Sequence, residues 1–255
     1  HYTSARGPPA MSVRHLPRIF GRWHSFSRKK QGLTGTFFCL TVLDKQEVLI
    51  SMHLLFVDGC IRGAQSRTRV LAQAFLDTLT VLRPDCTVET ADLNALRLVP
   101  LYGDTLAARD AAVSQQDWSN PWFAEAVRFQ KADRIVIAAP FWEGTFPAAL
   151  HTYIEHICAA GLTFRYGEHG EQIGLCQASR AAFFGTKGGI YSQGPAREDD
   201  FAARFLRTNL RMLGIPQLDV IEAEGLDIDG NDVAAILEEA AARARALAAD
   251  WASQH

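Results

Sequence analysis

Beginning at Met52, short apolar runs alternate with segments of helical periodicity, and this alternation restricts the possible folds more than any other feature of the chain. The run His-Leu-Leu-Phe-Val at residues 53–57 is almost free of polar side chains, which is typical of strands covered on both faces of a parallel sheet. The predicted strands are 53–57, 87–93, 134–139, 181–186 and 218–222. We therefore predict an α/β domain with an open, doubly wound, five-stranded parallel sheet and helices on both faces.

The segments between these strands carry helix signals, with two exceptions. The predicted helices are 66–82, 121–131, 147–158, 199–213 and 233–251. Residues 94–117 show no clear period and are predicted to be a long irregular loop, a length at which loops are often functional. Residues 163–175 consist of two short β-like pieces around a Gly-rich turn, which predicts a small β-hairpin excursion.

The net charge of −2 averages two unlike parts of the chain. Residues 1–51 contain 8 Lys/Arg and 2 Asp/Glu, whereas residues 52–255 contain 18 and 26. We predict that 1–51 is an N-terminal extension and that 52–255 is one domain. The balanced charge gives no indication of nucleic-acid or membrane binding. The apolar stretch 33–43 is shorter than the about 20 residues needed to span a bilayer.

Cysteine and histidine spacing suggests neither disulfides nor a metal site. The five cysteines form no CxxC pair, and their odd number favours a reducing cytoplasm. His151, Glu155 and His156 share a predicted helix, but histidines five residues apart point to different faces, so we predict no metal. His151 and Glu155 are expected to form a solvated pair.

In doubly wound sheets, ligands bind outside the carboxyl ends of the strands, so the loops after strands one, three and four are candidate sites. The first loop, residues 58–68, is rich in small and hydroxyl residues before a helix, which suits a single anion such as a phosphate. An equally simple interpretation is that Ser66 or Thr68 acts only as a helix cap. No Walker A or GxGxxG motif occurs.

Cys60 raises an alternative, because small tyrosine phosphatases place a nucleophilic cysteine in a similar loop, with five residues between it and an Arg. Here six residues separate Cys60 from Arg67, and the chain has no Asp-Pro dipeptide for a general acid. We therefore expect Cys60 to be a small packing residue.

The loops after strands three and four suit a flat, polar-edged ligand. Phe141 and Trp142 follow the third strand and either line a flat ligand or partner subunit, or are buried in the core. After the fourth strand, Gly188 and Gly189 allow close backbone approach to a ligand, and Lys187 is placed to neutralise developing negative charge. A simple glycine turn is the alternative.

Together the three loops resemble those of the FMN-dependent NADH azoreductase and NAD(P)H quinone oxidoreductase family. The most specific segment is 138–166, where Pro-aromatic-aromatic, Pro-Ala-x-Leu and Gly-x-Thr-Phe-x-Tyr occur in one register. The resemblance covers about four-fifths of the chain, from Met52 to roughly Trp251. It implies a flavodoxin-like fold, FMN as cofactor and NADH or NADPH as co-substrate.

The resemblance also implies which residues bind FMN. They are Cys60, Ser66, Arg67 and Thr68 at the phosphate; Pro140, Phe141, Trp142, Glu143 and Gly144 along the isoalloxazine; and Thr186, Lys187, Gly188 and Gly189 at the pyrimidine edge. Two positions depart from the family pattern: Glu143 stands where many members have Asn, and Lys187 where they have Arg. Tyr191 is a candidate proton or hydrogen-bond donor at the same edge.

The implied activity is reduction of quinones, azo compounds or nitroaromatics by ping-pong hydride transfer through FMN, with small aromatic electron acceptors and a homodimeric assembly. The alternative is a non-enzymatic flavodoxin-type electron carrier or a flavin-binding regulator. Carrier flavodoxins have a first loop similar to Thr-x-Thr-Gly-x-Thr, whereas the sequence here is Gln-Ser-Arg-Thr at residues 65–68. They are also much more acidic than residues 52–255 of this chain.

Overall fold

The structure is a computed structural model that describes residues 51–254. The predicted extension 1–51 lies outside the described residues except for its last position, and its role stays a prediction. The first strand begins at Met52, where the domain is predicted to begin.

Seven strands and seven helices make up the described part of the chain. The strands are β1 Met52–Asp58, β2 Cys86–Asp92, β3 Arg134–Pro140, β4 Phe164–Tyr166, β5 Gln172–Gly174, β6 Arg180–Thr186 and β7 Gln217–Ala223. The α-helices are α1 Arg67–Leu82, α2 Leu93–Leu96, α3 Gly103–Ser114, α4 Ala124–Lys131, α5 Ala148–Ile157, α6 Ala202–Met212 and α7 Val233–Ser253. Short 3-10 helices lie at Gly63–Gln65, Pro121–Phe123 and Pro195–Asp199.

Five of the strands form one sheet in the order β2-β1-β3-β6-β7, and each neighbouring pair is parallel. The register places Asp58 at the end of β1 opposite Asp92 of β2 and Ala138 of β3, so these strands end at a common edge. The two remaining strands form the predicted antiparallel hairpin, β4-β5. The fold-class prediction is confirmed.

Alternate residues of the central strands serve two separate cores, which explains the continuous apolar runs. On one face Leu54 and Phe56 pack under α1 and α7, where Phe75 and Trp251 meet edge to face with ring centroids 5.0 Å apart. On the other face Leu55 belongs to the core that includes residues of α5 and α6. Both faces of the sheet are therefore covered, as the pattern predicted.

The prediction of an irregular loop over 94–117 is wrong, because the segment contains α3 and the end of α2. Helix α3 buries only Arg109 and Ala112, so it lacks the apolar stripe by which a helix is found in a sequence. The other predicted helices are present, with ends shifted by up to three residues. Within residues 51–254, no helix has both the length and the apolar composition to cross a bilayer.

Candidate functional site

A cavity of about 320 Å³ lies where the loops after β1, β3 and β6 meet. Its volume falls within the range of about 300–1,000 Å³ typical of small-molecule sites. The lining residues are Arg62, Gln65, Ser66, Arg67, Pro140, Phe141, Trp142, Thr186, Gly188 and Asp227. Seven of them are among the residues predicted from the sequence, and they come from all three predicted loops.

One end of the cavity is the start of α1. Ser66 is the N-cap residue, is almost fully buried, and makes no side-chain capping bond. The first N–H groups of a helix have no partner within the helix and form its positive end, which suits an anion. Arg62 and Arg67 add positive charge at this end. The Arg67 guanidinium donates to the carbonyl oxygen of Leu226 at 3.0 Å and to the Asp227 carboxylate at 2.9 Å.

Cys60 and Thr68 lie behind this end and do not line the cavity. Cys60 is fully buried, its Sγ is 3.8 Å from the carbonyl oxygen of Ala138, and burial raises the pKa of the thiol to about 12. Such a thiol is not a nucleophile at neutral pH, so the geometry does not support the phosphatase alternative. Thr68 Oγ1 is 2.6 Å from Thr186 Oγ1, a buried bond that joins the first and third loops.

Pro140, Phe141 and Trp142 form an aromatic wall at the end of β3. The next two residues, Glu143 and Gly144, have φ angles of 44° and 78° and form a tight turn. Backbone bonds of 3.3 and 2.8 Å between Trp142 and Thr145 close it. Glu143 and Gly144 do not line the cavity; they hold Trp142 beside it.

The third side of the cavity is the backbone that follows β6. Thr186 and Gly188 line it, and the N–H groups of Gly188 and Gly189 donate to no acceptor within residues 51–254. A Cβ on Gly188 would lie 2.4 Å from Asp227 Oδ2, so a larger residue there would have to displace the Asp227 side chain. Two free amides beside an aromatic wall suit the polar edge of a flat ligand.

Lys187 lies between these residues, but its side chain points away from the cavity. The side chain is 1% exposed, and its Nζ contacts the carboxylates of Asp200, Glu222 and Glu224. This differs from the expectation that the ammonium faces the ligand. Burial acts to lower the pKa of Lys187, but Glu222 and Asp200 outweigh it and the pKa is raised.

Tyr191 lies next to the cavity without lining it. Its ring packs against Phe141 with centroids 4.5 Å apart, and a Cβ on Gly189 would lie 3.2 Å from the same ring. Tyr191 lines a second, more open cavity of about 430 Å³, together with Arg197 and Arg204. The Phe141–Tyr191 pair therefore separates the two cavities.

Sequence reasoning missed Arg62, Gln65 and Asp227. Arg62 and Gln65 fall inside the first predicted loop, whose predicted anion site depends on its small and hydroxyl residues. Asp227 follows β7, and the loop after that strand is not among the three predicted to form the site. Asp227 reaches the site because its N–H donates to the carbonyl oxygen of Gly188 at 3.0 Å. The sequence contains no signal for that return of the chain.

The histidines of α5 make separate hydrogen bonds. His151 Nε2 is 3.0 Å from Thr145 Oγ1, and His156 Nε2 is 2.8 Å from the carbonyl oxygen of Val99. Glu155 accepts from the N–H of Leu101 instead of pairing with His151, so the expected pair does not form.

The strand order, with a cavity at the carboxyl ends of β1, β3 and β6, defines a doubly wound protein of the flavodoxin type. A family model described as "Flavodoxin-like fold" matches residues 52–248, and the chain belongs to this family.

Relatives and solved structures agree with this assignment. An FMN-dependent NADH:quinone oxidoreductase 2 of Clostridium acetobutylicum is 36% identical over 197 residues, covering 73% of this chain and 92% of that protein. An FMN-dependent NADH:quinone oxidoreductase of Sinorhizobium fredii is 34% identical over 197 residues, covering 74% and 93%. The crystal structure of an azoreductase from Bacillus anthracis superposes with a TM-score of 0.71 at 27% identity, covering 78% of this chain and 99% of that one.

Proposed function

We propose that the protein is an FMN-dependent NAD(P)H oxidoreductase that reduces quinones, azo compounds or nitroaromatics. The observation that carries the proposal is the convergence of three surfaces on one cavity: a helix N-terminus without a side-chain cap, an aromatic wall, and the backbone at Gly188, whose N–H has no acceptor within residues 51–254. Gly189 follows it without lining the cavity. The names of the relatives support the same cofactor, and indicate NADH as the donor and quinones among the acceptors.

The residues present fit FMN from one end to the other. The start of α1, with Ser66 and Arg67, suits the phosphate, because uncapped N–H groups and a guanidinium bind phosphate oxygens. Phe141 and Trp142 suit the flat ring system. The amides of Gly188 and Gly189 suit the edge that becomes anionic on reduction.

FMN, when bound here, would supply the redox chemistry, which is hydride transfer from a reduced nicotinamide and electron transfer to an acceptor. The protein residues bind it, orient its ring and hold donors at its edge. Donor and acceptor are proposed to occupy the same place in turn, which gives ping-pong kinetics. The acceptor class is a small aromatic molecule.

Tyr191 is proposed to donate a hydrogen bond or proton at this edge. Support for this comes from its ring, which packs against Phe141, a residue that lines the cavity. Tyr191→Phe keeps the ring and removes the hydroxyl, and it is expected to lower kcat by about 10-fold, the value of one hydrogen bond. Unchanged kcat across the pH range would confine Tyr191 to packing.

A homodimer in the cytoplasm is part of the proposal. The dimer rests on the family resemblance and is tested by the sedimentation of the purified protein. The cytoplasm is supported by the free thiols of Cys60, Cys86, Cys158 and Cys176.

The test begins with the colour of the purified protein. We expect it to bind FMN, to lose the 450-nm flavin absorbance when NADH or NADPH is added without oxygen, and to regain it when a benzoquinone, an azo dye or a nitroaromatic follows. Flavin that reduced nicotinamide cannot bleach would refute the reductase and favour the carrier. Protein that binds no FMN would refute the site itself.

A further inference from the structure

Lys187 interrupts a row of residues that face the cavity. Thr186 and Gly188 line the cavity, whereas the Lys187 side chain extends to the other side, as successive residues of an extended chain do. The backbone of Lys187 is held by β7 and the loop after it: its N–H donates to Ala223 at 2.8 Å, and its carbonyl accepts from Leu226 at 3.1 Å.

The lysine ammonium has three N–H donors, and three carboxylates accept them. Nζ is 2.7 Å from Asp200 Oδ2, 2.8 Å from Glu222 Oε2 and 3.1 Å from Glu224 Oε1. Glu222 belongs to β7, Glu224 follows that strand, and Asp200 precedes α6. The compact lysine ammonium therefore has one N–H donor for each of the three carboxylate oxygens.

The cluster carries more carboxylates than cations. The second oxygen of Glu222, Oε1, is buried and has no hydrogen-bond partner within residues 51–254. Burial raises the pKa of Glu222, and Asp200 and Glu224 add to this effect against the opposing charge of Lys187. Within residues 51–254, Lys187 is therefore the cation that compensates all three of these partly buried carboxylates.

The same cluster contacts one aromatic residue of the cavity wall directly and is connected to the other through the backbone. Lys187 Nζ lies 5.5 Å from the centre of the Phe141 ring. Beside Asp200, the N–H of Phe201 donates to the carbonyl oxygen of Gly144 at 2.9 Å, which connects this segment to the turn that holds Trp142.

The end of the cavity formed by Phe141, Trp142 and Gly188 is called the ring end, and the end at the start of α1 the phosphate end. We propose that Lys187 is a positioning residue for the ring end. By binding Asp200, Glu222 and Glu224 together, it fixes the amides of Gly188 and Gly189 relative to the aromatic wall, without touching the ligand. This inference rests on the proposed function, since it assumes that the ring of FMN occupies this end.

The test compares FMN with riboflavin, which lacks the phosphate, using quenching of flavin fluorescence by the full chain. Lys187→Met is expected to lower the affinity for both flavins by the same factor, about 10-fold, because the substitution disturbs the ring end and leaves the phosphate end unchanged. Lys131→Met is the matched control: Lys131 is exposed at the end of α4 and does not line the cavity, so both affinities stay unchanged.

A second readout separates positioning from a merely structural role. Without Lys187 the partly buried carboxylates lose their compensating charge beside the ring end, so the midpoint potential of bound FMN is expected to become more negative. A variant that is only less stable binds flavin normally in its folded fraction and keeps the potential.

If Lys187→Met does not fold, Asp200→Asn decides the question, because it weakens one of the three anchors and keeps the side-chain shape. It is expected to lower the affinities for FMN and riboflavin equally, by about 3-fold. Unchanged binding of both flavins, or a loss confined to FMN, overturns the positioning role. Failure of the unsubstituted protein to bind either flavin overturns the proposed function instead.

Discussion

The turn beside the aromatic wall makes a quantitative prediction about Glu143. Both central residues of the turn, Glu143 and Gly144, have positive φ, the conformation for which Asn-Gly is the preferred pair. An ordinary L-residue there costs about 1–2 kcal/mol, and Asn tolerates it far better. The Glu143 side chain is exposed and has no hydrogen bond or ion pair within residues 51–254, so its replacement removes no polar interaction.

We therefore expect Glu143→Asn to stabilise the protein by about 0.5–1 kcal/mol, or about 1–4 °C in Tm for a domain of this size. Urea unfolding of the flavin-free protein measures this as a higher midpoint at unchanged slope. Glu143→Gln is the control, because it removes the charge and retains the unfavourable backbone preference.

Equal stability of the Asn and Gln variants would show that backbone strain is not what position 143 contributes. The affinity for FMN supplies a further distinction. If Asn strengthens FMN binding beyond the stability gain, the amide contacts the flavin directly, as the family pattern implies; if it does not, the residue acts through the turn alone.

The remaining predictions concern buried groups and the extension. Thr68→Val leaves the Thr186 hydroxyl buried without its partner at 2.6 Å and is expected to cost about 1–3 kcal/mol in urea unfolding; a loss below about 0.5 kcal/mol would show that water replaces the bond. Cys60, with a thiol pKa of about 12, is expected to resist iodoacetamide at pH 8 and to react only after denaturation, as peptide mass mapping would show; labelling of the native protein would contradict its burial. Removal of residues 1–51 is expected to leave FMN content and turnover unchanged, and a loss of either would place that segment within the functional unit.

The central sheet was predictable because each strand is covered on both faces. Leu54 and Leu55 belong to opposite cores, so their run had to be continuously apolar. Helix α3 was not predictable in this way, since Arg109 is one of only two residues that it buries, and a helix without an apolar stripe leaves no period in the sequence.

The site shows the same division. Ser66, Phe141 and Gly188 were found from the sequence because each has a residue type whose chemistry suits a ligand and each follows a strand end. Asp227 was not found, because its place in the cavity depends on a loop that folds back to hydrogen-bond with Gly188. Lys187 was identified by its position, but the direction of its side chain was not foreseen.

The sequence by itself determined the class of fold and the three loops that line the candidate cavity, because these depend on local periodicity and on residue types at strand ends. Only the tertiary structure decided where the charges point. Lys187 turns from the cavity because Asp200, Glu222 and Glu224, distant in the chain, meet on its other side. A buried charge follows the partners that neutralise it, and those partners are known only once the chain is folded.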